Sequence, residues 1–483
     1  MYIGIDLGTS GVKVVLLDEE QHILATSHKE LSISRPQNLW SEQDPEDWWN
    51  ATHHAMLELS QHHDLKSVKA VGLTGQMHGA TLLDKADHIL RPAILWNDGR
   101  SATECTELEA LVPQSRQITG NLMMPGFTAP KLKWVQRNEP HLFNQIHKVL
   151  LPKDYLRLKM TGEYASDMSD ASGTMWLDVE KRQWDNTILE ATGLELDKMP
   201  KLFEGNQITG YLRQEIAQQW RMNSVPIVAG GGDNAAGAIG IGIGLYQAGQ
   251  AMLSLGTSGV YFVVTNRFTA NPQKAVHSFC HALPERWHLM SVILSAASAI
   301  DWVKNIIGNN DINQLFQQMA HCTTSSQALF LPYLSGERTP HNDPYATGVF
   351  WGLSHNDSNI TLAKAVLEGV SFALADGIDV LHETGATAES ISLIGGGTKS
   401  AYWRQLLADI TGRTLEYRTG GDVGPALGAA KLAQIALNPK EEISTYCRNL
   451  PLEEVYTPNA QIYEQYQQKR ERYHQLYQRL KGF

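Results

Sequence analysis

Two short segments carry the reactive potential of this chain. The first is Ile5-Asp6-Leu7-Gly8-Thr9-Ser10-Gly11-Val12, in which an acid precedes a turn of glycines and hydroxyls. Such a turn exposes several backbone N–H donors at one place, which is what a polyphosphate requires. The second is Gly230-Gly231-Gly232-Asp233-Asn234. Read alone, an Asp after glycines is more often a turn residue or a helix N-cap than a base. Phosphoryl transfer, however, demands little covalent help: in-line positioning, charge neutralisation by a metal and a base on the attacking oxygen. Two separated carboxylates suffice for it. A P-loop would need GxxxxGK[ST]. In Gly395-Gly396-Gly397-Thr398-Lys399-Ser400, Thr398 stands where the glycine before the lysine belongs, and no GxGxxG opens a dinucleotide fold. Any nucleotide is therefore held by a different device.

The elements that must position these groups come in two sets. The segment around Asp6 reappears as Leu253-Ser254-Leu255-Gly256-Thr257-Ser258-Gly259-Val260, 248 residues later, so the chain is expected to hold two similar domains. Each copy reads as strand, tight turn, strand: Tyr2 to Leu7 then Val12 to Leu17, and Ala251 to Leu255 then Val260 to Val264. A single such hairpin is more often a plain β-turn than a ligand site; two near-identical copies argue otherwise. Val68 to Thr74 is a further strand, and Gly75-Gln76-Met77-His78-Gly79 follows it. Loops at the carboxyl ends of strands are where α/β enzymes place substrates, although His78 taken without context is simply a loop histidine.

Ser101 to Val112 reads as a helix with Ser101 as N-cap and Glu104 completing a capping box. Thr361 to Leu381 carries the apolar stripe Leu362, Val366, Val370, Leu374 of a long packed helix. From Asn459 onward, Ile462, Tyr466, Tyr473, Leu476, Tyr477 and Leu480 predict a terminal amphipathic helix docked onto the body. The mixture indicates α/β layers. The domain junction is expected near Gly237 to Gln250, dividing the chain into 1–243 and 244–483. The glycines crowded there (Gly237, Gly240, Gly242, Gly244, Gly249) serve either close helix approach or a hinge.

Composition narrows the class. The 483 residues are 42% hydrophobic and 19% charged with a net charge of -11, which offers no general polyanion-binding surface, so nucleic acid is not an expected partner. No stretch approaches the ~20 apolar residues of a membrane span. Met1-Tyr2-Ile3 begins at once as a strand pattern without a basic leader, and cytoplasmic residence is the expectation. Cys105, Cys280, Cys322 and Cys447 lack CxxC or Cys/His spacing and are expected as buried thiols.

Duplicated DLGTSG-type hairpins with a late GGG segment resemble the actin, Hsp70 and sugar kinase superfamily. Gly126-Phe127-Thr128-Ala129-Pro130-Lys131-Leu132-Lys133-Trp134-Val135-Gln136-Arg137-Asn138 is similar to the first signature of the FGGY carbohydrate kinases. Gly348 to Leu353 followed by Leu362 to Glu368 is similar to the second. The resemblance covers essentially the whole chain. It implies two ribonuclease-H-like α/β domains flanking a deep cleft, with ATP and Mg2+ as cofactors and a small ketose as partner. A homodimer is compatible with it.

The resemblance also distributes roles. Asp6 orients the metal on the nucleotide, and Gly8, Thr9, Ser10 and Lys13 face the terminal phosphates. Ser254 replaces Asp6 in the second copy, so only one domain brings this carboxylate. Gly256, Thr257 and Ser258 hold the phosphates from the other side, and Gly395, Gly396 and Gly397 let the adenosine lie close to backbone. Asp233 accepts the sugar hydroxyl proton and shares the metal environment with Asp6, while Asn234 fixes the sugar. The Gln76-Met77-His78 string resembles that of family members acting on D-xylulose, whereas glycerol-specific members carry Arg-Glu in place of Met77-His78. His78 then bonds sugar hydroxyls, Met77 lines the wall and Trp96 packs on the carbon skeleton, with Asp98 and Arg100 as a structural ion pair. The activity implied is transfer of the γ-phosphoryl of ATP to the 5-hydroxyl of D-xylulose. The alternatives are a kinase of ribulose, fuculose, gluconate or glycerol, or an actin- or Hsp70-like ATP-binding protein without a small substrate.

Overall fold

The structure, a computed structural model, describes residues 1–244, 250–309, 311–324, 326–388, 390–419 and 424–483. Residues 245–249 of the expected junction, Gly249 among them, lie outside the described residues. Apolar, β-branched runs form the first sheet. β1 (Tyr2–Leu7) and β2 (Gly11–Leu17) make an antiparallel hairpin with Asp6 opposite Lys13, and β3 (Ile23–Glu30) extends it. β4 (Ala70–Gly75) lies parallel to β1, and the sheet continues through β6 (Pro226–Gly232) to β5 (Ile208–Tyr211) in the order β5-β6-β4-β1-β2-β3. β1, β4 and β6 are parallel and buried on both faces, which is why they read as nearly unbroken apolar runs. Their carboxyl ends meet at one edge: Leu7 pairs with Gly75, and Gly75 with Gly232.

The second sheet repeats the plan. β7 (Gln250–Leu255) and β8 (Gly259–Thr265) form its hairpin, and β9 (His277–Cys280), β10 (Trp287–Ile293), β11 (Ser390–Ile394), β12 (Thr414–Arg418) and β13 (Leu452–Tyr456) complete the order β9-β10-β8-β7-β11-β12-β13. In each sheet the first hairpin strand pairs in parallel with a later strand, β1 with β4 and β7 with β11. The repeat seen in the sequence thus occupies equivalent places in two like domains.

Helices cover the sheets. α1 (Pro45–His62) packs on β2 and β3. α2 (Ala102–Leu111) and α3 (Thr128–Asn138) belong to the first half, and α4 (Asp233–Gly240) begins with the second predicted carboxylate. α5 (Asn359–His382) is closed by a capping box in which the Ser358 and Thr361 side chains each bond the other's backbone amide. The box expected at Ser101 does not form: Ser101 Oγ donates to the Pro125 carbonyl at 3.1 Å, and Glu104 pairs with Arg137 at 2.6 Å. Tertiary partners outbid the local motif.

α6 (Gly424–Leu437) comes from the second half yet lies on the first sheet and on α4. Its approach explains four glycines. A Cβ on Gly4 of β1 would stand 1.8 Å from the Ala426 carbonyl oxygen, and one on Gly72 of β4 1.9 Å from that of Ala429. Across the helix pair, a Cβ on Gly428 would meet the Ala236 oxygen at 1.7 Å and one on Gly240 the Gly424 oxygen at 2.1 Å. Of the two uses open for the junction glycines, close approach is therefore the one Gly240 serves. The terminal helix α7 (Ala460–Leu480) docks by Tyr473, Leu476 and Tyr477 and by the buried Arg470, which bonds Asp376 through Nε at 2.8 Å and pairs with Asp379 at 2.8 Å. Cys105, Cys280 and Cys447 are buried free thiols, and Cys322 is half-buried. No described helix is long and apolar enough to cross a membrane.

Candidate active site

The parallel strand ends of the first sheet place Asp6, the Gly75–Gly79 loop and Asp233 side by side. Asp6 is the penultimate residue of β1 and Asp233 the first of α4, next to Gly232 at the end of β6. The two carboxyls interact. Burial, followed by repulsion from Asp233, pushes the Asp6 carboxyl up to about 7, with Lys13 across the hairpin offsetting part of the rise. Burial also raises Asp233, to about 6, against the hydrogen bonds it accepts from the Asn234 backbone and side-chain amides at 2.7 and 2.9 Å. Both side chains remain partly open to solvent, as groups that face a cleft must.

Asp6 Oδ1 and Oγ1 of its strand neighbour Thr74 are buried with no protein hydrogen-bond partner. Unpartnered oxygens beside two carboxylates fit a hard divalent cation, which shares its shell with water and phosphate oxygens. Among the described residues no group of three or more His, Cys, Asp or Glu side chains could hold a metal by itself. A cation here would therefore be completed by the substrate's phosphates.

The turn after β1 is tied down by side chains. Gly8 N–H donates to the Gly11 carbonyl at 2.9 Å. Thr9 Oγ1 donates to Gln76 Oε1 at 3.0 Å and accepts from the Trp96 indole N–H at 2.9 Å. Gln43 Nε2 donates to the Thr9 carbonyl at 2.7 Å, and Gln43 Oε1 accepts from Gln76 Nε2 at 2.9 Å. Gln76 and Trp96, both expected at the sugar, thus tie the Gly75–Gly79 loop and the segment after it to the Gly8–Gly11 turn. Gln43 is a member that sequence reasoning missed, because it sits in a two-residue strand with no motif around it. Ser10 is exposed and Lys13 half-buried. In the second domain the matching turn closes with Gly256 N–H on the Ser258 carbonyl at 3.0 Å. The glycine segment lies against it: Gly395 adopts φ +91, where a Cβ would meet the Leu255 oxygen at 2.8 Å, while Gly396 has open space around its Cα. Thr257 is exposed and Ser258 half-buried. All six glycine and hydroxyl positions assigned to this side are thereby brought together.

The His78 loop is held by the helix that carries the first signature. His78 has φ +69, a left-handed backbone that a bulky residue needs support to keep. Lys131 Nζ and Thr128 Oγ1 on α3 both donate to the His78 carbonyl, at 2.9 and 3.2 Å. Its Nδ1 stands 2.8 Å from the Gly173 carbonyl, which only accepts, so Nδ1 carries the proton and Nε2 is left as an acceptor. Burial, with Lys131 and Arg338 nearby, lowers His78 to about 3, so the ring is neutral at physiological pH. Phe127 packs edge-on against it at 4.9 Å. Met77 lies over Gly232, where a Cβ would come 2.8 Å from its sulfur. Asp98 and Arg100 form the expected ion pair, at 2.9 and 2.7 Å, and Arg100 stacks over Trp40 at 3.7 Å.

From the second domain, Arg338 bears electrostatically on both His78 and His277, and its guanidinium makes no hydrogen bond or ion pair among the described residues. Nothing in the sequence around it signals a site. Its placement follows from Thr339, whose Oγ1 donates to the Ala275 carbonyl at 2.9 Å and accepts from Val292 N–H at 3.1 Å. The residues so assembled offer neutral acceptors, one guanidinium, apolar side chains and a carboxylate pair: the equipment for binding a polyhydroxylated molecule and deprotonating one hydroxyl.

Comparison with known proteins agrees with this chemistry. Residues 1–240 match the model of the FGGY family of carbohydrate kinases, N-terminal domain, and residues 251–437 the corresponding C-terminal domain. The chain is 62% identical over 481 residues to a xylulose kinase of Escherichia coli, covering 99% of each chain, and 58% identical over 482 residues to one of Klebsiella pneumoniae, covering 100% of this chain and 99% of the other. Among solved structures, a kinase from Brucella ovis, described as a xyloylose kinase, superposes with a TM-score of 0.94 at 46% identity, with 99% of each chain covered.

Proposed function

The chain belongs to the FGGY family of carbohydrate kinases, and from that premise we propose that it phosphorylates the 5-hydroxyl of D-xylulose at the cleft built around Asp6 and Asp233. It is an ATP-dependent carbohydrate kinase of two α/β domains. The observation that carries the residue-level reading is the placement of both carboxyls at one edge of the first sheet, Asp6 near the end of β1 and Asp233 directly after β6, beside the unpartnered Asp6 Oδ1 and Thr74 Oγ1. Asp6 and Asp233 would hold the cation, which we take to be Mg2+; when bound it neutralises phosphate charge and draws both carboxyls into their ionised forms.

The remaining steps fall to the chain's own residues. The Gly8–Ser10 and Gly256–Ser258 turns offer amides and hydroxyls to the phosphates, and Lys13 adds charge. Gly395 to Gly397 leave room for the adenosine against backbone. His78 Nε2 accepts from one sugar hydroxyl, Asn234 and Arg338 serve the other oxygens, and Met77 and Phe127 supply apolar wall. Asp233 accepts the proton of the 5-hydroxyl as that oxygen bonds to the γ-phosphorus and the bond to the β,γ-bridging oxygen breaks, releasing ADP. Closure over the bound substrates would exclude water, a competing nucleophile. The reading carries with it the cytoplasm as compartment and a homodimer as the assembly to examine first.

A coupled ADP-release assay over D-xylulose, D-ribulose, fuculose, gluconate and glycerol tests it. The largest kcat/KM is expected for D-xylulose. A larger value for any other member overturns the substrate assignment, and ATP turnover indifferent to all of them overturns the kinase reading of the pocket.

A further inference from the structure

Behind the strand that delivers Asp233 lies a set of ionisable side chains that the reaction does not use. Lys153, Asp154, Arg157, Asp167 and Asp170 are all fully buried. Lys153 Nζ stands 2.7 Å from Asp154, 2.7 Å from Asp167 and 2.9 Å from Asp170. Two cations thus face three carboxyls, and burial pushes the Asp170 carboxyl well above the usual carboxylate range while Lys153 opposes the rise. Such a cluster is a poor way to gain stability, since desolvation of the charges offsets their attraction and apolar side chains of like volume serve as well. What it touches is more informative. Arg157 donates to the carbonyls of Val228 and Ala229 on β6, at 3.1 and 2.6 Å. Asp167 Oδ2 accepts from the Ser169 hydroxyl at 2.5 Å, and Ser169 Oγ in turn accepts from Gly232 N–H at 3.0 Å. Gly232 immediately precedes Asp233, and its neighbour Gly230 adopts φ +76, tight against the Leu73 oxygen. The glycine run that leads to the carboxylate has no side chains of its own to fix it; the strand is held at the Val228 and Ala229 carbonyls before the run and at the Gly232 amide at its end.

We propose that Ser169, oriented by Asp167, is a positioning residue for the transfer step: it fixes the Gly232 amide and so aims the Asp233 carboxylate at the attacking hydroxyl. The proposal rests on Asp233 being the base. Its action runs through one hydrogen bond on the peptide before that residue, and misplacing a reacting group by ~1 Å can cost ~10²-fold in rate.

The test is a double-mutant cycle on the full chain with D-xylulose and MgATP. In the parent, Ser169→Ala is expected to lower kcat ~10-fold or more while both KM values stay within ~2-fold; in the Asp233→Ala background the same change lowers residual kcat by less than ~2-fold. Equal losses in the two backgrounds, or a kcat within ~2-fold of the parent, overturn the proposal by making Ser169 merely structural or dispensable. Should Ser169→Ala yield no soluble protein, Ser169→Cys decides alone. It keeps the volume and weakens the bond, and an unchanged kcat there overturns the proposal while a loss confined to the parent background supports it. Near-native turnover of Asp233→Ala itself is a separate result: it removes the base assignment and the proposal with it.

Discussion

Replacing Asp6 by asparagine is expected to stabilise the nucleotide-free protein while abolishing its activity. In the fold the Asp6 carboxyl titrates at about 7 instead of 3.8, because burial and the Asp233 charge disfavour its ionised form. The folded state therefore binds a proton that the unfolded state has released, and stability falls as pH rises from about 4 through 7, with the full penalty present above that window. A rise of roughly three powers of ten at ~1.36 kcal/mol each sets a ceiling of ~4 kcal/mol. Cleft solvent reaches the side chain, so about half of that, ~2 kcal/mol, is the working figure. Asp6→Asn removes the charge and keeps the shape, and Oδ1 has no hydrogen-bond partner to lose. Urea midpoints of parent and variant, measured without nucleotide or divalent cation, read the effect. The variant is expected to unfold at higher urea at pH 8, with a smaller gain at pH 5 and little below about pH 4, where the parent has lost most of its penalty. A variant no more stable than the parent at pH 8, or a gain independent of pH, refutes the reasoning.

Other perturbations test the supports around the site. Lys131→Met removes the 2.9 Å bond to the His78 carbonyl; KM for D-xylulose is expected to rise ~10-fold, the worth of one buried hydrogen bond, with KM for ATP unchanged in steady-state kinetics. Gly428→Ala would put a Cβ 1.7 Å from the Ala236 oxygen, and the helix pair must part; a loss of ~3 kcal/mol or more is expected in thermal unfolding. Arg470→Met leaves Asp376 buried with only His474 at 2.7 Å, and a loss of ~3 kcal/mol is expected together with proteolytic cleavage within 460–480.

Much of this architecture is legible in the residues. The duplicated hairpin occupies equivalent positions in the two sheets, and the α7 pattern from Asn459 onward forms the helix it predicts, with Asn459 capping Gln461 and Ile462. What was not legible depends on contacts between distant parts of the chain. Lys131 stands inside a recognisable signature, yet its task, holding a carbonyl 53 residues earlier, is visible only in the fold. Gln43, Ser169 and Arg338 act on groups in other strands or the other domain, and no local pattern marks them. Ser101 shows the converse: a good local capping motif yields when Pro125 and Arg137 offer its members other partners.

The central claim is that one of two neighbouring carboxylates takes the proton of the sugar hydroxyl. Its most direct test is Asp233→Ala, with D-xylulose binding measured at equilibrium and transfer measured in a single turnover with MgATP. The account predicts sugar affinity still measurable and a transfer rate lower by ~10² or more, the usual consequence of losing a general base. Transfer at the parent rate would contradict it.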